Sequence, residues 1–253
     1  MRFTVLGSGT TLPDADRGPA GFLVQAEGRS ILVDGGSGTL QRLKRAGVDA
    51  RELDGGVYSH RHVDHTGDLV PLLFTLKVGI DRPRTRDYPI WGGQGFQGFL
   101  SALLGVYGQW IQGTAWSTVV TELPLDGPGE ALLPGGVLLR TLPANHAAGA
   151  LHLRFEHDGR SVTFSGDTGA SPALAELAEA TDLLVCECAY DGPEDYDGHL
   201  YAELIRDMVA QARPAQVWLT HMYPQVDPER ALRVVREAGA PVIRARDGQS
   251  VEL

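Results

Sequence analysis

Within six residues, His60-Arg61-His62-Val63-Asp64-His65 offers three imidazoles and one carboxylate. Three more metal-capable side chains follow at wider spacing: His146, Asp167 and His221. Imidazole suits zinc, iron and manganese, and a carboxylate can bridge two ions. In an extended loop alternate residues face the same way. His60 and His62 can therefore reach one ion, while Asp64 and His65, past a bend, can reach a second. Asp167, in Phe164-Ser165-Gly166-Asp167-Thr168-Gly169, is the candidate bridge, and the glycine before it lets the backbone approach closely. Two ions roughly 3.5–4 Å apart lower the pKa of a shared water toward neutrality. The expected chemistry is metal-dependent hydrolysis by two divalent ions. Zinc is the first expectation, and mixed nitrogen and oxygen donors also accept Mn2+ or Fe2+. His152 and His157 lack such company and read as surface or strand residues. The H-E-x-x-H pattern of zinc proteases is absent.

These side chains need a rigid frame. Phe3–Leu6 reads as a strand, and Phe22–Gln25 with Ile31–Val33 as a hairpin around Glu27-Gly28. Helical spacing covers Leu40–Ala46 and Leu69–Val78. Gly56–Ser59 is a short apolar approach to the histidine cluster. Further on, Val137–Leu142, Leu151–Phe155, Ser161–Phe164, Leu183–Cys186 and Val217–Thr220 read as strands. Pro172–Ala180 reads as a helix capped by Ser171, Ala202–Ala212 as a second, and Glu229–Ala238 as a third, capped by Asp227 and stopped by Gly239. This alternation predicts two packed sheets with helices on both outer faces. His60, Asp167 and His221 each follow a strand, where sites are usually built. Residues 75–120, rich in glycine and holding Trp91, Trp110 and Trp116, are less regular. They read as a helical insertion over the site, a dimer contact or ordinary aromatic packing.

The bulk numbers narrow the function. With 253 residues, 43% of them hydrophobic and 21% charged, the chain has the balance of a soluble globular protein. We expect one domain over residues 1–253. A formal net charge of -10 argues against a nucleic-acid binder driven by phosphate contacts. A local basic patch at Arg82, Arg84 and Arg86 is the exception to examine. Apolar runs are too short for a signal peptide or a membrane span. Cys186 and Cys188 are too closely spaced for a disulfide, so both read as thiols, with a cytoplasmic location as the default. Gly7-Ser8-Gly9-Thr10 lacks the third glycine of a dinucleotide fingerprint and reads as a turn.

An ordered set of motifs resembles the metallo-β-lactamase superfamily over nearly the whole chain. It runs from Leu6-Gly7-Ser8-Gly9-Thr10 through Asp34-Gly35-Gly36, the histidine cluster and His146 to Ser165-Gly166-Asp167-Thr168 and Leu219-Thr220-His221. The resemblance implies an α/β fold, the αββα sandwich of two mixed β-sheets flanked by helices. It places His60, His62, His146 and Asp167 on one metal, and Asp64, His65, Asp167 and His221 on the other. Asp34 falls where the family supports the cluster loop from behind. Flavodiiron reductases carry a glutamate at the position of His62, and zinc β-lactamases usually lack the aspartate that Asp167 supplies.

The chain is most similar to ribonuclease Z and its small phosphodiesterase relatives. Gly198-His199-Leu200, 22 residues before His221, matches the catalytic histidine of that branch. Val185-Cys186-Glu187-Cys188-Ala189-Tyr190 matches its His-Glu-Ala-Thr stretch, with Cys186 in place of the histidine and Glu187 kept to orient His199. Ribonuclease Z also carries a tRNA-binding arm between the third histidine ligand and the bridging aspartate. Here His146 and Asp167 lie only 21 residues apart, room for two strands and a turn. The resemblance therefore implies a hydrolase of small phosphodiesters, such as a cyclic nucleotide or a short nucleic-acid end, with Asp64, His199 and Glu187 as catalytic residues. The expected partner is a small-molecule substrate; tRNA is disfavoured, no membrane is involved, and a homodimer is allowed. The alternatives are a lactonase or a carboxylic or sulfate esterase, in which Tyr223 or Tyr190 would bind the carbonyl oxygen, and a metal-binding module without catalysis.

Overall fold

The structure is a computed structural model that describes residues 1–253 apart from 80, 82 and 194–197. Six strands come from the first half of the chain: β1 (Arg2–Gly7), β2 (Gly21–Ala26), β3 (Arg29–Gly35), β4 (Gly55–Tyr58), β5 (Tyr88–Gly93) and β6 (Thr118–Leu123). Eight follow: β7 (Gly129–Leu133), β8 (Val137–Pro143), β9 (Leu151–His157), β10 (Arg160–Phe164), β11 (Leu183–Glu187), β12 (Val217–Thr220), β13 (Val242–Arg244) and β14 (Ser250–Glu252). They form two seven-stranded sheets, ordered β14-β1-β2-β3-β4-β5-β6 and β13-β12-β11-β10-β9-β8-β7. Both are mixed, with parallel pairing from β3 to β6 and from β10 to β13. The helices are α1 (Thr39–Arg45), α2 (Val63–Thr66), α3 (Leu69–Lys77), α4 (Phe96–Tyr107), α5 (Pro172–Leu177), α6 (Ala202–Ala212) and α7 (Pro228–Arg236). This is the expected αββα sandwich.

Side chains on a strand alternate faces, and here both faces are covered, so the strands read as almost continuous apolar runs. Phe3, Val5, Phe22, Val24 and Val33 point between the sheets and meet Leu153, Phe155, Val162, Phe164 and Val185. Phe22 and Phe164 tie the two halves together with ring centroids 4.6 Å apart. Truncating such a buried ring typically costs about 3–5 kcal/mol. The alternate residues Leu6, Leu23 and Leu32 face outward, under Leu43 of α1, Leu72 and Leu76 of α3 and Phe96 of α4. On the other side Leu184, Cys186, Val217 and Leu219 lie beneath Ile205 and Val209 of α6 and Leu232 and Val235 of α7. Both cysteines are buried free thiols.

The Glu27-Gly28 turn forms as expected, with φ of 49° and 70° in the left-handed region that short hairpin turns use. Asp158-Gly159 repeats it between β9 and β10, with φ of 50° and 73°. Asp227 caps α7 by accepting from the backbone N–H groups of Glu229 and Arg230.

Three expectations need correction. Residues 75–120 are not only a helical insertion: they supply β5 and β6 as well as α4, and Trp91 and Trp116 are buried while Trp110 is exposed. The β6 signal was weak because that strand is half exposed. Ser171 makes no side-chain cap on α5; its hydroxyl is committed to His152 Nε2, 2.9 Å away. The basic patch also dissolves. Arg84 is buried and donates to the carbonyls of Leu53, Arg86 and Asp87, and Arg86 pairs with Asp54 at 2.5 Å. Arg82 lies outside the described residues.

Candidate metal centre

The metal-capable residues gather on loops that leave one end of the sandwich. The loop after β4 carries His60 and His62 and leads into α2, which carries Asp64 and His65; the loop after β8 carries His146, that after β10 carries Asp167, and that after β12 carries His221. His60, His62, His146 and Asp167 each offer a donor atom, and these atoms lie within 4.8 Å of one another; the same holds for Asp64, His65 and His221. Asp167 Oδ2 sits between them, 3.8 Å from His60 Nε2, 3.9 Å from His146 Nε2, 3.3 Å from His65 Nε2 and 3.5 Å from His221 Nε2. The structure thus brings together all seven residues named from the sequence.

Their orientation is set from behind. Asp34, fully buried with φ of 53°, accepts from Ser59 N–H, Ser59 Oγ and His65 Nδ1, each at 2.8 Å. Ser59 Oγ, having donated to Asp34, can accept from His60 Nδ1 at 3.1 Å. His146 Nδ1 donates to Gly198 O at 2.8 Å. These bonds fix the tautomers of His60 and His146 and turn their Nε2 lone pairs toward Asp167, while Asp34 aims His65 Nε2 at the same carboxylate. Among the described residues His60 Nε2 is buried with no hydrogen-bond partner, and His65 Nε2 meets only the Asp167 carboxylate, at 3.3 Å. Buried lone pairs facing a carboxylate repel it unless a cation lies between them. That orphaning is the observation that fits a metal to these residues.

Electrostatics set His65 apart from the other imidazoles. Burial holds His60 and His62 below the usual histidine range and pushes His146 down to about 4, which keeps these imidazoles neutral. Burial also opposes charge on His65, but the Asp167 and Asp34 carboxylates outweigh it and raise that histidine well above its ordinary value. Burial of Asp167 is outweighed by His221, His65 and His60, which hold its carboxyl well below the usual range.

Two glycines allow this crowding. A Cβ on Gly166 (φ 59°) would lie 3.0 Å from Leu151 O and 3.1 Å from Ser59 Cβ. One on Gly36 would lie 2.2 Å from Asp64 O.

His199 is mostly buried beside the cluster, its ring centroid 4.9 Å from His146 and 5.8 Å from His221. Its Nδ1 donates to Glu187 Oε1 at 2.9 Å. Burial disfavours its charged form, yet the hydrogen bond and charge of Glu187 raise its pKa above the ordinary value. Glu187 also accepts from the backbone N–H groups of Thr168, Ala189 and Leu200. One carboxylate therefore fixes both the Asp167 loop and the His199 segment.

Sequence reasoning missed part of the support. His152 is a strand residue but not a surface one; it is fully buried on β9, with Nδ1 donating to Ser165 O at 2.6 Å. The Gly7-Ser8-Gly9-Thr10 turn is also part of the support, because Ser8 O accepts from His221 N–H at 3.0 Å. Asp247 pins that turn through Ser8 N–H, Ser8 Oγ and Gly18 N–H. Asp247 lies far along the chain from Ser8, so no local pattern could reveal the pairing.

Comparison with known proteins accords with this geometry. The family model described as metallo-beta-lactamase superfamily matches residues 16–219. The chain is 33% identical over 193 residues to ribonuclease Z of Mycobacterium bovis (strain BCG / Pasteur 1173P2), covering 73% of this chain and 69% of that protein. The metallo-beta-lactamase fold protein YhfI of Bacillus subtilis superposes with a TM-score of 0.84 at 25% identity, covering 100% of this chain and 99% of that one. The short form of human tRNase Z superposes with a TM-score of 0.80 at 19% identity, again covering 100% and 99%. The chain belongs to the metallo-β-lactamase superfamily. Within it, this protein is a metal-dependent hydrolase similar to ribonuclease Z. Among the described residues no helix is long and apolar enough to cross a membrane.

Proposed function

We propose that the protein hydrolyses small phosphodiesters at this centre, with a cyclic nucleotide or a short nucleic-acid end as the substrate class. His60, His62, His146 and Asp167 would hold one divalent ion, and Asp64, His65, Asp167 and His221 the other, with zinc the first candidate. Bound there, such ions lower the pKa of water and neutralise charge on the attacked group. Asp64 takes the proton of the attacking water. The water oxygen bonds to phosphorus as the P–O bond to the leaving alcohol breaks. His199, its Nδ1 committed to Glu187, gives the Nε2 proton to the departing oxygen. Glu187 holds that ring in place and favours its charged form.

The observation that carries this reading is the His199–Glu187 pair, 2.9 Å apart and buried beside the donor cluster. A poor alkoxide leaving group needs a proton donor, and a histidine with a raised pKa supplies one near neutral pH. The short Asp158-Gly159 turn between β9 and β10 leaves no arm between His146 and Asp167 for holding a tRNA body. That, with the net charge of -10, favours small diesters.

A lactonase reading has one point in its favour. The Tyr223 ring lies 5.9 Å from His221, where a phenol can reach a carbonyl oxygen. Parallel assays of bis-p-nitrophenyl phosphate and an acyl-homoserine lactone with added Zn2+ or Mn2+ separate the two. We expect diester turnover to dominate; lactone turnover without diester turnover would reverse the assignment.

A further inference from the structure

Two tyrosines flank His199, and one of them, Tyr223, also borders the donor cluster, its ring 5.9 Å from that of His221. Tyr190 follows β11 and Tyr223 follows His221 on the loop after β12. The Tyr190 ring stands edge-on to His199 with centroids 5.3 Å apart, and the Tyr223 ring stands edge-on at 6.3 Å. The two phenol rings lie within 24° of parallel, 6.2 Å apart. Both side chains are only half buried, although burying a ring is worth more than leaving it wet.

Neither ring depends on a loose tether. Tyr190 N–H donates to Leu200 O at 3.2 Å, and Tyr190 forms a bridge to Tyr201. Arg230 of α7 donates to Asp191 O at 2.9 Å and pairs with Glu203 of α6. Tyr223 O accepts from Val226 N–H, closing a turn. The backbone that carries both rings is therefore anchored before any ligand arrives, which lowers the ordering cost of binding.

We infer that Tyr190 and Tyr223 form a stacking wall for a nucleobase on the leaving alcohol of the substrate. The inference rests on the phosphodiesterase reading, since it takes His199 as the donor to the departing oxygen. A group bonded to that oxygen must lie against His199, where among the described residues these two half-buried rings stand edge-on to it. Stacking is tolerant of base identity because every base presents a π-face. The wall therefore selects for a base over no base, without selecting among bases.

The test uses the metal-loaded enzyme and two substrates, thymidylyl-thymidine and its analogue with abasic residues in place of both bases. They share charge and leaving-group pKa, so only the rings differ. Wild type should show a lower KM for the base-bearing dinucleotide by about 10- to 100-fold, the range typical of base–aromatic stacking. Tyr190→Ala and Tyr223→Ala should each raise that KM toward the abasic value with little change in kcat. Tyr190→Phe and Tyr223→Phe should keep the preference, because the ring and not the hydroxyl is used. The same pair is also measured as competitive inhibitors of whichever ester the enzyme turns over, with metal content and circular dichroism checked for each variant. Equal KM values and equal inhibition constants for the two dinucleotides in wild type would overturn the wall. Loss of the preference in the phenylalanine variants would overturn it in favour of a hydroxyl role. If neither dinucleotide is cleaved and a lactone is, the phosphodiesterase reading itself fails, and the inhibition constants then report on the wall separately.

Discussion

At the scale of single residues, the proposed function divides labour between side chains that hold charge and one that moves it. Asp167 faces four imidazoles from its buried position, so it serves both halves of the cluster. His199 touches the cluster through ring contacts but spends its Nδ1 on Glu187. The two roles predict different losses. Asp167→Ala should remove most bound metal and abolish turnover. His199→Ala should keep the metal content of wild type and lower kcat by about 10²–10⁴-fold, the range of a lost general acid. Elemental analysis and steady-state kinetics on both variants check the division. Metal loss from the His199 variant equal to that of Asp167→Ala would show that His199 is a ligand instead, since it also offers a donor atom within 4.8 Å of Asp167 and His221.

At the scale of elements, rigid strands and their buried polar neighbours hold the loops. His152 is the example with a measurable consequence. Burial is the larger influence and pushes its pKa down to about 4, against a smaller raising effect of its bond to Ser165 O. The neutral ring satisfies both partners, because Nδ1 donates to Ser165 O and Nε2 accepts from Ser171 Oγ. A protonated ring keeps the second contact only by reversing it, with Nε2–H donating to the hydroxyl oxygen, and its charge stays buried. With the folded pKa below the unfolded one, the unfolded chain takes up the proton first as pH falls. The stabilisation is complete above about pH 6.5 and is lost progressively toward pH 4, amounting to about 3 kcal/mol at 1.36 kcal/mol per pKa unit. Urea unfolding of wild type and His152→Gln from pH 7.5 to pH 4 should show the wild-type stability falling more steeply by that amount. Parallel pH profiles would remove His152 from the account.

The same scale shows what the sequence can reveal. Donor residues cluster by type and spacing, so His60, His62, Asp64 and His65 stand out at once. Strands buried on both faces also stand out, because the centres of β2, β3 and β11 (residues 22–24, 31–33 and 183–186) are uninterrupted apolar runs. Edge strands such as β6 and β14 are partly exposed, and their mixed composition hides them. Supports that join distant segments are hidden for another reason. Asp247 holding Ser8 is a tertiary pairing across most of the chain. Ser171 looked like a helix cap because its local context fits one, and only the fold shows that His152 claims its hydroxyl. The resemblance anticipated Asp34, and the structure supplies the reason: it holds Ser59 and His65 together.

At the scale of the whole molecule, two sheets share one apolar interior and place four loops at one end. The central claim is that those loops hold two divalent ions between seven named donors. An anomalous-scattering map of the zinc-loaded protein, collected at the zinc edge, tests it most directly. The account predicts two peaks, one among His60, His62, His146 and Asp167 and one among Asp64, His65, Asp167 and His221. A zinc-saturated crystal with no peak between these donors would contradict it.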